Sequence, residues 1–127
     1  MEQIRTDYIS FNKQKLNLLG QLAGAELKYG QEKNSFEHFL KENGIVLTLS
    51  AIKSGIDLSS GDAQSFAETL SDTKEFIAAF PGKFNAVQEA GAEVEGIKSE
   101  LKAVNEIIDK LDVLLFKQSK LGVRDDE

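Results

Sequence analysis

Cysteine and tryptophan are missing from this chain, which has one proline and one histidine among its 127 residues. Without cysteine the chain can form no disulfide and offers no thiolate to a metal or a substrate. Because His38 is the only histidine, a metal site built from several histidines of one chain is excluded. Long helices tolerate few prolines, so the single Pro81 already favours a mostly helical protein.

Long apolar runs are also missing. No stretch of about 18 apolar residues occurs, so we expect no membrane-spanning segment and no membrane partner. The start of the chain, MEQIRTDYISFNKQK, mixes charges into the sequence and lacks the apolar centre of a secretory signal peptide. We therefore expect a cytoplasmic protein, with signal-less export and incorporation into a virion left open.

The charge pattern argues against a nucleic-acid partner. The formal net charge is −6, and no basic stripe is present that could follow a phosphate backbone. Residues 1–42 carry six basic and six acidic side chains, whereas residues 83–127 carry seven and ten. Acidity this mild is typical of a soluble surface.

Length and composition predict one globular unit. The chain is 41% hydrophobic and 28% charged, the balance of an ordinary globular protein. We expect a single helical domain over residues 1–122. Residues 123–127, VRDDE, are expected to form a frayed charged tail, because three acids at a helix C-terminus oppose the helix dipole.

Residues 2–30 show the apolar period of a helix, in two neighbouring rows. One row is Ile4, Tyr8, Phe11, Leu18, Leu22, Ala25 and Tyr29, and the second is Ile9, Leu16, Leu19, Ala23 and Leu27. Two rows give a wide apolar face, typical of a helix inside a bundle. Gly20 and Gly24 lie one turn apart near that face. Either a helix packs closely there, or their cost of up to about 1 kcal/mol each is tolerated.

The end of this first helix has two interpretations. Gly30 favours a stop, and Asn34 with Glu37 three residues later then resembles a capping box for a second helix. We prefer this break. The alternative is one helix that runs through Gly30 to Glu42. In both cases Gly44 is expected just beyond the helix end, where glycine is favoured.

The middle of the chain predicts two shorter helices. Residues 45–58, IVLTLSAIKSGIDL, begin like a buried strand, but no second strand-like run exists to pair with them, so we predict a short buried helix. Ser59 with Asp62 predicts a cap for the next helix, whose apolar period continues to Phe80. Pro81 and Gly82 predict a turn, with Pro81 opening the last helix.

The last helix is predicted from about Gly82 to Leu121, with Gly122 ending it. Its apolar seam steps by three and four residues through Val94, Ile97, Leu101, Val104, Ile108, Leu111 and Leu115. A strict seam would indicate a two-stranded coiled coil, but Ile107 and Leu114 widen the apolar stripe, which favours a bundle.

The length of this helix leaves two possibilities. Forty helical residues span about 60 Å, whereas a compact chain of this size is roughly 35–40 Å across. The helix therefore breaks near Gly91–Gly96, or the fold is elongated.

No constellation of side chains predicts catalysis. Asp57, Ser59, Gly61 and Glu68 resemble a calcium loop, but Asp62 stands where that loop needs glycine. The acids of the last helix fall off its apolar seam, and no Glu-x-x-His pair exists for a di-iron site. Phosphate-binding loops and nucleophile motifs are absent. We expect no enzymatic activity, no metal and no cofactor.

The sequence thus predicts an all-α fold, an elongated antiparallel helical bundle built on two long helices with two or three shorter helices between. The predicted function is a non-catalytic interaction or assembly protein that buries helix faces in a homo-oligomer or against a protein partner. It would act as a phage or secretion-system assembly component, an adaptor or an inhibitor. The alternative is a small-ligand carrier with an apolar cavity. The predicted interaction residues are Phe80, Phe84, Val87, Val94, Ile97, Leu101, Val104, Ile108 and Leu111.

Overall fold

A computed structural model describes residues 2–58 and 62–125, with the side chains of residues 2–56 and 62–117. The helices are α1 (Glu2–Glu42), α2 (Leu49–Leu58), α3 (Ala63–Leu70) and α4 (Lys74–Asp125). No strand occurs in these ranges. The two long helices pack against each other and the two short ones lie between them in the chain, which confirms the predicted all-α bundle.

The helices form two compact units. The first comprises Met1–Gly24 with Val94–Glu127, and the second comprises Ala25–Glu93. In the second unit α1 and α4 run antiparallel, because Phe36 contacts Phe84 whereas Phe39, further along α1, stacks on the earlier Phe76. The expectation of one domain over residues 1–122 stays a prediction.

The core of the second unit is built around phenylalanine rings. Phe36, Phe76 and Phe80 are at most 1% exposed, and neighbouring ring centroids lie 5.1–6.3 Å apart. This is the spacing at which aromatic pairs attract each other beyond their area burial. The short helices close the cluster with Leu49, Ile52, Ile56 and Ala67. The phenylalanines of α1, α3 and α4 and the aliphatic side chains of α2 therefore form one shared core.

Helix α1 does not stop at Gly30, so the preferred break was wrong and the uninterrupted alternative is confirmed. Glycine in a helix costs about 1 kcal/mol, which is less than the gain from burying Phe36 and Leu40 on the same face. Asn34 is an exposed residue inside the helix rather than a cap. Glu37 caps a different helix, because its Oε2 accepts a hydrogen bond from the Leu49 N–H at 3.1 Å.

Gly44 ends α1 as predicted. Its φ of +77° is left-handed, which favours glycine. The Ile45 N–H donates to the Leu40 carbonyl at 2.9 Å, and the Gly44 N–H donates to the Lys41 carbonyl at 3.0 Å. These two hydrogen bonds form a Schellman motif, and they give donors to carbonyls that would otherwise be unpaired at the helix end.

Gly44→Ala is expected to lower the free energy of unfolding by about 1–2 kcal/mol, because an L side chain is strained at this φ. Urea denaturation followed by circular dichroism measures the change. The matched control is Gly30→Ala, where an added Cβ meets open space and the helix gains about 0.5–1 kcal/mol. Equal effects of both substitutions would contradict this account of the helix end.

Residues 45–48 lie outside any helix, so the first part of the helix predicted over residues 45–58 was wrong, while Leu49–Leu58 is helical. The boundary has a local cause. Thr48 caps α2, since its Oγ1 accepts a hydrogen bond from the Ala51 N–H at 3.2 Å. The Ile45 N–H donates to the Leu40 carbonyl in the Schellman motif that ends α1, so Ile45 does not begin α2.

Helix α3 begins after Asp62, whereas the predicted cap Ser59 lies outside the described residues, as does Gly61 of the calcium template. The Asp62 carboxylate accepts hydrogen bonds from the Ser65 hydroxyl at 2.9 Å and from the N–H groups of Gln64 and Ser65. The helix then stops at an extended Ser71, so the predicted run to Phe80 is broken there.

Helix α4 passes through all three places where the sequence predicted a turn, allowed a break or predicted an end. Pro81 lies inside the helix, so the predicted turn at Pro81 and Gly82 was wrong. The helix is continuous across Gly91–Gly96, and it runs past Gly122 to Asp125. Buried side chains lie on both sides of the proline, at Phe80 and Phe84. Their burial offsets the cost of an interior proline, about 3 kcal/mol.

The stability of α3 is expected to depend on pH through Asp62. The Ser65 hydroxyl, then the two backbone N–H groups, lower the pKa of this carboxyl from its ordinary 3.8. A depressed folded-state pKa stabilises the fold at neutral pH, and this contribution is lost as the pH falls from 3.8 through the folded-state pKa. Asp62→Asn should flatten the acid limb of a denaturation series, and Ser65→Ala should do so partly. An unchanged acid limb in both variants would contradict this role.

Candidate interaction surface

The nine predicted interaction residues are mostly covered by the chain itself. Phe80, Phe84 and Val87 belong to the core of the second unit and are at most 5% exposed. In the first unit the seam of α4 is 4–8% exposed at Val94, Ile97, Leu101, Val104 and Ile108. Leu111 is half-buried. Contact of these residues with another chain stays a prediction, but in this conformation their surface is already occupied.

The α4 seam shares the first unit with one apolar row of α1. Leu18 of that row is 4% exposed, and Ile4, Tyr8, Phe11 and Leu22 are half-buried. These are the residues that the helical period placed in the first of the two rows. The first row and the α4 seam are therefore the parts of the two long helices that this unit buries.

The second row of α1 is left uncovered. Ile9 is 55% exposed, Leu16 69% and Leu19 43%, and Ala23 is also exposed. We call these four residues the outer row. An alanine Cβ at Gly20 or Gly24 would meet nothing within 4 Å, so the surface between the outer-row side chains is open. The outer row is an apolar stripe on a helix whose other side already packs in its own unit.

Exposed apolar side chains also occur outside these four residues, and Leu27 among them continues the same row of α1 one turn after Ala23. On α4, Ile107, Val113, Leu114 and Phe116 are 38–63% exposed, and Val113 and Leu114 line an open depression with Asp109 and Lys110. In the second unit, Leu27 is 65% exposed and Val46 84%. Ile107 and Leu114 are the residues that widened the α4 stripe in the sequence, and they remain at the surface.

Comparison with protein-family models, with curated proteins and with solved structures finds no match to this chain.

Metal-ligating side chains are spread over the described residues. Among the described residues there is no group of three or more His, Cys, Asp or Glu side chains that could hold a metal ion. His38 is exposed, and its Nε2 lies 2.8 Å from Glu42 Oε1 on the next turn of α1. Asp62 is the described residue whose pKa is shifted, and its partners belong to the cap of α3. None of the described helices has a segment apolar and long enough to cross a membrane.

One concave feature with polar walls is a cleft in the second unit. It has a volume of about 220 Å³ and is lined by Glu32, Ser35, Phe36, Gly82, Lys83 and Ala86. Ligand pockets usually hold about 300–1,000 Å³. The cleft is therefore smaller than the site that a small-ligand carrier needs.

Sequence reasoning placed the interaction on the seam and assigned the outer row to the inside of a bundle. The apolar period alone could not show which of the two rows is buried, because both repeat at helical spacing. The available signal was the pair Gly20 and Gly24, because no contact among the described residues compensates for the helix stability that these glycines cost.

Proposed function

We propose that this protein is a non-catalytic helical assembly module that binds another protein chain through the outer row of α1. The observation that carries the proposal is the run of exposed Ile9, Leu16 and Leu19 on a helix whose opposite row is already packed. Exposed apolar stripes of this kind mark interaction sites, since single exposed leucines are common but aligned ones are not. Roles in phage or secretion-system assembly, or as an adaptor or inhibitor, belong to this proposal, as does a cytoplasmic location.

In such a module the two apolar rows of α1 would have different roles. Burying a leucine or isoleucine side chain supplies about 1.5–3 kcal/mol, so the outer row provides affinity. Formation of the core does not depend on that affinity, because the first row and the phenylalanine cluster are buried without a partner. The chain can therefore fold first and bind afterwards as a largely preformed surface.

Site-specific crosslinking in the cell of origin tests the proposal. A photoreactive amino acid is placed at Leu16 in one variant and at Asn17, which is exposed but lies off the outer row, in the other. Protein adducts are expected from position 16 and not from position 17, and mass spectrometry identifies them. Absence of any protein adduct at Leu16 would overturn the assembly proposal.

The small-ligand carrier is the alternative. The apolar depression beside Val113 and Leu114 has a volume of about 480 Å³, but it is open and does not enclose a ligand. Native mass spectra of the purified chain decide between the two proposals. A bound lipid or other small molecule that leaves only on denaturation would support the carrier. Ligand-free spectra together with protein adducts at Leu16 would support the assembly module.

A further inference from the structure

Charge favours residues 2–24 as the place where two copies of this acidic chain would meet. These residues carry three basic and two acidic side chains, whereas the rest of the chain carries twelve and nineteen. On the side of α1 that bears the outer row, the charged residues among them are Glu2, seven residues before Ile9, and Arg5 and Lys13, so both signs of charge are present. Because like charges across an interface are costly, a nearly neutral segment of this kind can face a second copy of itself.

We propose that the partner of the outer row is a second copy of this chain, bound antiparallel about a two-fold axis that passes beside Leu16. This inference rests on the proposed function and names its partner. In such an isologous contact Leu16 meets Leu16 of the other copy, and Ile9 meets Ala23, so that a large side chain faces a small one. Asn12 then faces Gly20, whose missing side chain leaves room for it.

The antiparallel direction follows from the basic residues. A parallel pair would place Lys13 against Lys13 and Arg5 against Arg5. In the antiparallel pair Lys13 lies opposite Leu19, and the two Lys13 residues are about 9 Å apart along the axis.

The Asn12 side chain already has a hydrogen bond within its own helix, because its Nδ2 donates to the Tyr8 carbonyl at 2.8 Å. Its burial therefore leaves fewer polar groups unpaired.

Light scattering after size exclusion tests the dimer with the purified chain. The wild type is expected at twice the monomer mass of 14.0 kDa. Leu16→Glu should weaken dimerisation by at least about 100-fold, because two carboxylates would face each other at the axis. Asn17→Glu adds the same charge off the outer row and should remain dimeric. Circular dichroism of each variant verifies that the helices are intact.

Single cysteines test the direction, since the chain has no other thiol. A disulfide needs Cα atoms about 4.4–6.8 Å apart. Leu16→Cys should crosslink to itself under mild oxidation. Ile9→Cys should not, because the two copies of residue 9 would be about 21 Å apart along the axis. A mixture of Ile9→Cys and Ala23→Cys should form the mixed disulfide. Self-crosslinking of Ile9→Cys would overturn the antiparallel pairing.

The two proposals fail in different ways. A wild type that stays monomeric at high concentration overturns the second copy as partner. If position 16 then still yields adducts with a different protein in cells, the assembly function stands. Lack of any adduct at position 16 removes the assembly function itself, and a dimer unaffected by Leu16→Glu assigns self-association to another surface.

Discussion

Replacing Phe80 by alanine is expected to lower the free energy of unfolding by about 3–5 kcal/mol, the range for a fully buried phenylalanine. Phe80 is 0% exposed. Its ring lies 5.6–6.3 Å from four others, those of Phe36, Phe66, Phe76 and Phe84. The substitution therefore leaves a cavity at the one position where helices α1, α3 and α4 all contribute rings. Urea denaturation followed by circular dichroism measures the loss.

Two control substitutions test whether the loss of stability comes from core packing at Phe80 rather than from any substitution in this unit. Phe80→Leu keeps much of the volume and should cost clearly less than Phe80→Ala. Val46→Ala changes an 84% exposed side chain of the same unit and should stay within about 0.5 kcal/mol of the wild type. A cost below about 1 kcal/mol for Phe80→Ala would contradict the phenylalanine cluster as the organising core.

The apolar periods predicted what the long helices bury. On α4 the residues Val94, Ile97, Leu101, Val104 and Ile108 were found by steps of three and four, and all are at most 8% exposed. This succeeded because a helix has one inward side, and its spacing is fixed by 3.6 residues per turn. Gly44 was predictable for an equally local reason, because a helix end needs a residue that adopts positive φ.

The helix ends that failed were places where burial outweighed a local signal. Gly30 and Pro81 both disfavour a helix, but each is flanked by side chains that the core covers, Phe36 for one and Phe80 for the other. Glu37 was assigned to a cap three residues away, whereas it reaches Leu49 twelve residues later. A sequence window does not contain the partners that decide such cases.

The interaction surface could be predicted only in part. The spacing of Ile9, Leu16, Leu19 and Ala23 was visible in the sequence, and the wide face it produced was assigned to the inside of a bundle. Which of two adjacent rows is covered depends on where α4 lies, and that is a property of the packed unit. The outer row became a candidate once its exposure of up to 69% was known.

Replacing Pro81 by alanine is expected to raise the free energy of unfolding by about 1–3 kcal/mol. Proline has no N–H to donate to the Ile77 carbonyl one turn earlier, and its ring crowds that turn. Alanine restores the hydrogen bond. It also gives the unfolded chain more conformational freedom, which offsets up to about 1 kcal/mol of the gain in stability. The measurement is the urea midpoint of the variant at an unchanged slope.

Gly82→Ala is the matched control for this gain. An alanine Cβ at Gly82 meets nothing within 4 Å, so it should add about 0.5–1 kcal/mol by helix propensity alone, without a new hydrogen bond. A gain at Pro81 no larger than that at Gly82 would mean that the missing hydrogen bond costs the fold little. A loss at Pro81 would mean that the proline sets the backbone geometry that buries Phe76 and Phe84 on either side of it. The sign of this one substitution therefore decides whether the proline is a cost that the core outweighs or a part of how α4 meets the core.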